Sequence, residues 1–349
     1  MSGGGAEARV SVLYGRGIRS GGPEALHQLV HELRREGVAA SLVPHPRTIG
    51  RPRVVEYEGY DAPELAMSND NPHDVIIAPE VYLPELLRFK RARRLCWWLS
   101  IDNSPAFRAE RYLEDLKNGL ADWPRARELR SLAWLTTREL SQWRPRLHAL
   151  GHLSQSHYAR AYLRRRLGVD SMIVSDYISD AEARIRCGEQ AEDRGGLRIS
   201  YNPAKGARLV NQVRRRAGLD AVWVPIAGMS PDQVRTNLAQ SAVYLDLGPH
   251  PGKDRIPREA ALAGAVVVVA RRGSACHDAD VPLPDPFRIP VANSLADRTV
   301  DVLGLALRNH ESALLEQEPY RNHIIGQRAA FNREVKNLAK MILDGGASG

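Results

Sequence analysis

The chain is poor in cysteine. Its 349 residues hold three, Cys96, Cys187 and Cys276, odd in number and without metal-type spacing. That excludes a disulfide framework and points to a reducing cytoplasm. Cys96 lies in an apolar run and reads as core. The eleven histidines form no cluster with metal-ligand spacing either. The longest small-apolar stretch, AALAGAVVVVA at 260–270, is too short to cross a bilayer and is interrupted by Gly264. The opening MSGGGAEA lacks the apolar region of a secretion signal. Aromatic residues are 6% of the chain; the adjacent Trp97 and Trp98 sit in an apolar strand and read as core rather than as a base-stacking platform. Short-period repeats and low-complexity tracts are absent. The expectation is a soluble, cytoplasmic protein.

Hydrophobic residues make up 43% and charged residues 26%, an ordinary globular balance, and the length suggests two domains. The net charge is +8, carried by arginine runs: RFKRARR at 88–94 and RRR at 164–166 and 214–216. Such a balance suits nucleic acid, an anionic membrane or phosphorylated small molecules. The two RRR runs each precede a glycine that would end a helix. There the charges also complement the helix dipole.

Short β-rich runs alternate with amphipathic helices. RVSVLY (9–14) reads as a strand, GRGIRSGG (15–22) as a loop and PEALHQLVHELRREG (23–37) as a helix. Its Leu26, Leu29, Val30 and Leu33 have helical spacing, Pro23 suits the first turn and Gly37 the stop. VAASLVP (38–44), HDVIIAPE (73–80), RLCWWLSI (94–101), SLAWLTT (131–137) and SMIVSDYI (171–178) read as strands. HYARAYLRRRLG (157–168) reads as a helix. Residues 181–196 are polar and charged and read as a linker. The alternation restarts with LRISYNP (197–203), and the strands AVWVPIAG (221–228), AVYLDLG (242–248) and AVVVVA (265–270) are separated by helices at 205–218, 230–240 and 257–264. In the second of these, Ser230 suits the N-cap and Pro231 the first position. The expected fold class is α/β, with two Rossmann-like, doubly wound domains facing a cleft: an N-terminal domain over 1–180, a second over 197–330, and a C-terminal helix and tail over 331–349. Ligands of such sheets bind beyond the carboxyl ends of the strands.

Three loops at those ends could carry chemistry. GRGIRSGG, with Gly21 and Gly22, lets backbone N–H groups approach an anion or a sugar. It does not match the dinucleotide fingerprint. YNPAKG (201–206) places Lys205 beside a helix N-terminus, where it can pair with a phosphate. GPHPGKDRIPREAALAG (248–264) is the most charged. Gly252 frees its backbone, and His250, Lys253 and Arg255 supply positive donors. Pro257 would open a helix whose first turn holds Arg258 and Glu259. That carboxylate could bind vicinal hydroxyls of a ribose or sugar while the cations take phosphates. DAD at 278–280 reads as a turn, and SQSHY at 154–158 lacks the context of a nucleophile elbow.

These loops resemble those of GT-B-fold glycosyltransferases, in particular the large retaining group that includes glycogen-synthase-like and cell-surface polysaccharide enzymes. SGGPEALHQLVHELRREGVAASLV (20–43) resembles their first glycine loop and helix. ISYNPAKG (199–206) resembles the loop that contacts the donor diphosphate, through Asn202, Lys205 and Gly206. PREAALAGAVVVVA (257–270) resembles the helix and strand whose glutamate, here Glu259, binds the donor ribose. The family's earlier glutamate falls on Pro251 and is absent, and Asn202 stands near where its usual arginine is missing. WWLSIDN (97–103) resembles a strand end that carries a catalytic or acceptor-side group, which makes Asp102 the catalytic candidate and Glu80 the second.

The resemblance implies a retaining, metal-independent glycosyltransferase with no cofactor beyond a nucleotide-sugar substrate. The acceptor would be a glycan, a glycolipid or a small molecule. A peripheral contact with an anionic membrane at its inner face fits the charge; nucleic acid is the less favoured partner. The alternatives are a non-catalytic scaffold of the same fold and a glycosyltransferase acting on modified DNA bases.

Overall fold

The computed structural model describes residues 8–107, 110, 113, 141–189 and 197–345. The strand expected at 131–137 lies outside them. The described chain divides into two compact units. The first holds the residues up to Asp176 and from Arg328 onward, the second Tyr177–Gln327.

The first unit is a six-stranded sheet of β1 (Arg9–Tyr14), β2 (Ala39–Pro44), β3 (Val75–Pro79), β4 (Arg93–Trp98), β5 (Gly151–Ser154) and β6 (Met172–Ile173). All neighbours run parallel, in the order β2-β1-β3-β4-β5-β6. Strands covered on both faces must be apolar on both, and β3 is buried at every position. Trp97 and Trp98 are fully buried. Burying side chains of this size contributes roughly 2–3 kcal/mol each.

Helix α1 spans Gly21–Arg35 and buries Leu26, Leu29, Val30 and Leu33. It begins two residues earlier than the proline suggests, so Gly21 and Gly22 form its first turn and Ser20 is the N-cap. The expected strand at 171–178 shrinks to the two residues of β6. Beyond it the Val174 N–H still bonds to the Ser154 carbonyl of β5 at 3.0 Å, and side chains take the next groups. The Trp97 indole donates to the Val174 carbonyl at 2.8 Å, and the Glu334 carboxylate accepts from the Ser175 N–H at 2.7 Å.

The second unit contains β7 (Arg198–Tyr201), β8 (Val222–Pro225), β9 (Val243–Asp246), β10 (Val266–Ala270) and β11 (Arg288–Ile289). This sheet is also wholly parallel, in the order β11-β10-β9-β7-β8. The chain leaves β7 for β8 on one side, then returns to β9 on the other. The gap between the ends of β7 and β9 is therefore the topological switch point, where open α/β sheets take ligands.

Both RRR runs occupy last helical turns, in α3 (His157–Leu167) and α5 (Ala207–Ala217), each ahead of a left-handed glycine, Gly168 and Gly218. Ser230 caps α6 (Pro231–Ala239) in a capping box with Gln233. Residues 181–189, read from composition as linker, are helical: α4 (Ala181–Glu189) packs against α6 and buries Arg184. Its charges hid an inward-facing arginine. No described helix is long and apolar enough to cross a membrane.

Candidate functional site

The second unit gathers charge at its switch point. After β7 the chain turns through Asn202, whose side-chain oxygen accepts from the Ala204 N–H at 3.0 Å. Gly206 then opens α5 at φ +69°, pressed on the backbone of Leu247 and Gly248; a Cβ there would lie 2.9 Å from the Gly248 nitrogen. Only glycine meets both demands. The close approach brings Lys205 to the end of β9. From the other side, the turn after β10 supports the same loop: the Ser274 N–H donates to the His250 carbonyl at 2.9 Å and its hydroxyl to the Gly252 carbonyl at 2.7 Å.

Four ionisable side chains meet between these loops. Lys205 Nζ lies 2.7 Å from Asp254 Oδ2. His250 Nδ1 lies 3.1 Å from the same oxygen, and its Nε2 stands 3.9 Å from Asp246 Oδ1. Asp246 and His250 are buried, whereas Lys205 is partly exposed. Burial pushes the Asp246 carboxyl up, while His250 opposes that rise. Burial disfavours a charged His250, but Asp246 and Asp254 outweigh it and raise the imidazole. Asp254 is depressed because its bonds to His250 and Lys205 outweigh burial. Asp246, His250 and Asp254 bring metal-type ligand atoms within 4.8 Å of one another, which corrects the expectation that no histidine has such neighbours. The spacing of four residues was visible, but neither aspartate was read as part of the loop's chemistry. Lys205 already neutralises Asp254 here, so the group has a cation of its own.

Helix α7 runs over Arg255–Leu262, with Asp254 as N-cap. Pro257 is thus its third residue, not its first, and Glu259 belongs to the second turn. Glu259 meets two guanidinium groups, Arg255 Nε at 3.1 Å and Arg184 Nη2 at 3.2 Å. Arg258 is buried and bonds to Gln327 Oε1, the Lys253 carbonyl and the Asp254 carbonyl. It braces the loop from within rather than offering a cation to solvent. Lys253 lines a small pocket with His250, Asp254, Ser274 and Tyr320.

The first unit has its own switch point, between β1 and β3, and four of the expected residues follow the strands β1, β3 and β4. Gly21 and Gly22 start α1 after β1, with Ser20 held by the Tyr57 hydroxyl. Glu80 follows β3; its Oε2 accepts from the Leu99 N–H at 2.8 Å. Burial pushes this carboxyl up to about 7, against backbone hydrogen bonds, and Asp102 adds to the rise. Asp102, after β4, accepts from the Tyr158 hydroxyl at 2.8 Å. Arg184, Asp246, Asp254, Tyr158 and Ser274 were missed as site residues. The signal for the aspartates was their regular offset from His250.

No family model and no curated protein matches the chain. Solved structures do match in fold. A glycosyltransferase from Rickettsia africae aligns with a TM-score of 0.61 at 13% identity, covering 97% of this chain and 99% of that one. Sucrose-phosphate synthase from Thermosynechococcus elongatus aligns at 0.63 and 11%, covering 97% and 100%. Anabaena HepE, in complex with UDP and glucose, aligns at 0.59 and 11%, covering 96% and 100%. The two parallel-sheet Rossmann-like units are those of GT-B glycosyltransferase structures.

Proposed function

We propose that the chain is a glycosyltransferase whose second unit takes a nucleoside-diphosphate sugar and whose first unit takes a hydroxyl acceptor on a glycan, a glycolipid or a small molecule. The observation that carries this reading is the placement of Lys205. Its partly exposed ammonium stands at the carboxyl end of β7, at the switch point. α5 begins beside it with its N–H groups at that end, and its N-cap glycine supplies no side chain to cap them. Cation and donors together would take up charge growing on a departing diphosphate, a task that needs no metal. Asp102, bonded to Tyr158, is the group to accept the proton of the acceptor hydroxyl. Retention of configuration is part of the resemblance and is read from the product's anomeric proton.

The test is thermal shift of the full chain with UDP, ADP, GDP and their glucose conjugates, starting with UDP because HepE was solved with it. One diphosphate should raise the melting temperature. Lys205→Ala should remove most of that rise, and Glu259→Ala should weaken it. No stabilisation by any of them removes the main support. A non-catalytic binding protein is the second reading, favoured by the Glu259 carboxylate lying between Arg184 and Arg255. Binding without transfer of labelled sugar to any acceptor would select it.

A further inference from the structure

One carboxylate oxygen at the switch point is shared. Asp254 Oδ2 receives both Lys205 Nζ, at 2.7 Å, and His250 Nδ1, at 3.1 Å. The imidazole is 2% exposed and lies between two carboxylates. Its Nε2 has no hydrogen-bond partner and faces Asp246 across 3.9 Å. A single Asp254 charge can cancel one cation only. When His250 is neutral, Asp254 and Lys205 cancel and the pair offers no net charge to an anion. When His250 is protonated, Asp254 is divided between two cations and Lys205 keeps attraction for a phosphate.

We propose that His250, held between Asp246 and Asp254, is a positioning residue whose proton frees the Lys205 ammonium to bind the donor diphosphate. The proposal rests on the reading of Lys205 as the diphosphate ligand. It makes anion binding at this site proton-coupled, with affinity falling as His250 loses its proton.

Other charged groups surround the ring. From β9, the Tyr244 hydroxyl bonds to Asp246 at 3.4 Å. Burial raises Tyr244 and, on α10 (Glu318–Asp344), Tyr320, so both phenols stay neutral across the relevant range. From α7, Arg258 is committed to the loop backbone and Gln327, and Glu259 to Arg184 and Arg255. Lys253 and Asp280 line the adjoining pocket. Lys205, Asp246 and Asp254 remain the charges that face the imidazole directly.

The test is calorimetric titration of the full chain with UDP, ADP and GDP, and with the matching nucleosides, from pH 7 to pH 9. Above pH 7 the diphosphate has passed its own ionisation, near about 6. The tightest diphosphate should bind about tenfold more weakly at the alkaline end, with net proton uptake on binding. Its nucleoside should show no such dependence. His250→Gln should bind at pH 7 as the parent does at pH 9, with a flat profile. Asp254→Asn should keep diphosphate affinity and also lose the pH dependence, because the charge needing compensation is gone. A purely structural role would lower affinity at every pH without proton uptake.

A Lys205-dependent diphosphate affinity that is flat from pH 7 to 9, or a dependence that survives both substitutions, overturns the proposal and leaves the functional reading standing. Absence of any diphosphate binding overturns both. Melting temperatures of the variants separate unfolding from loss of binding.

Discussion

Arg184 Nη2 lies 3.2 Å from Glu259 Oε1, and both side chains are less than a tenth exposed. The pair joins α4 to α7 within the second unit. Removing Arg184 takes one of two guanidinium partners from a buried carboxylate and leaves it Arg255. Arg184→Ala is therefore expected to cost about 2 kcal/mol of stability. Arg184→Met, which keeps the volume, should lose less than Arg184→Ala if packing shares the role. Urea denaturation of both variants checks this. Equal stability of Arg184→Ala and the parent would remove the pair's structural weight.

Gly273 is a second expected point of sensitivity. It has φ +56°, and a Cβ there would collide with the His250 carbonyl. Gly273→Ala must strain the turn or push His250 out of line. We expect a loss of about 2–4 kcal/mol together with weakened UDP binding. Gly37→Ala is the control, since Gly37 also has positive φ but open space around it; it should show the conformational cost alone.

Glu80 sets a pH dependence of stability. Its carboxyl is pushed up to about 7 when folded, from 4.5. A raised acid binds its proton more tightly in the native state. The associated stability is fully present below pH 4.5 and is lost as pH rises through 7, by about 3 kcal/mol in all. His27 and His152 act in the opposite sense. Burial lowers both to about 4, so their contribution is lost as pH falls from 6.5 toward 4. The difference between parent and Glu80→Gln isolates the carboxyl. That difference should shift in favour of the glutamine variant between pH 5 and pH 8, as read by denaturant midpoints. A constant difference across this range would contradict the assignment.

Donor binding should not need a divalent cation. Lys205 already lies 2.7 Å from Asp254, where an added ion would have to compete with it. UDP affinity in EDTA should match that in Mg²⁺ or Mn²⁺ within about twofold. A tenfold gain with either metal would instead assign Asp246, His250 and Asp254 to metal binding.

Much of the fold was legible because its signals are local. The apolar runs 75–79 and 266–270 are buried on both faces, and Ser230-Pro231 marks a helix start through backbone geometry and capping alone. Boundaries failed where distant side chains intervene: β6 stops early where Trp97 takes the Val174 carbonyl and Glu334 the Ser175 N–H. In the site, Lys205 and His250 were singled out from their loops. Arg184 was not, since a charged run at 181–189 looks the same whether its arginine faces water or a buried carboxylate.

The sequence by itself determined two alternating β/α series, the loops at their strand ends and the cationic character of 248–255. Periodicity, turn residues and charge are properties of neighbours in the chain. Tertiary structure alone decided which charges meet. The crossover from β8 to β9 lays residue 205 against residues 246–254, and burial there makes Asp246, His250 and Asp254 depend on one another's protons. That dependence arises from distance and desolvation, which no spacing along the chain encodes.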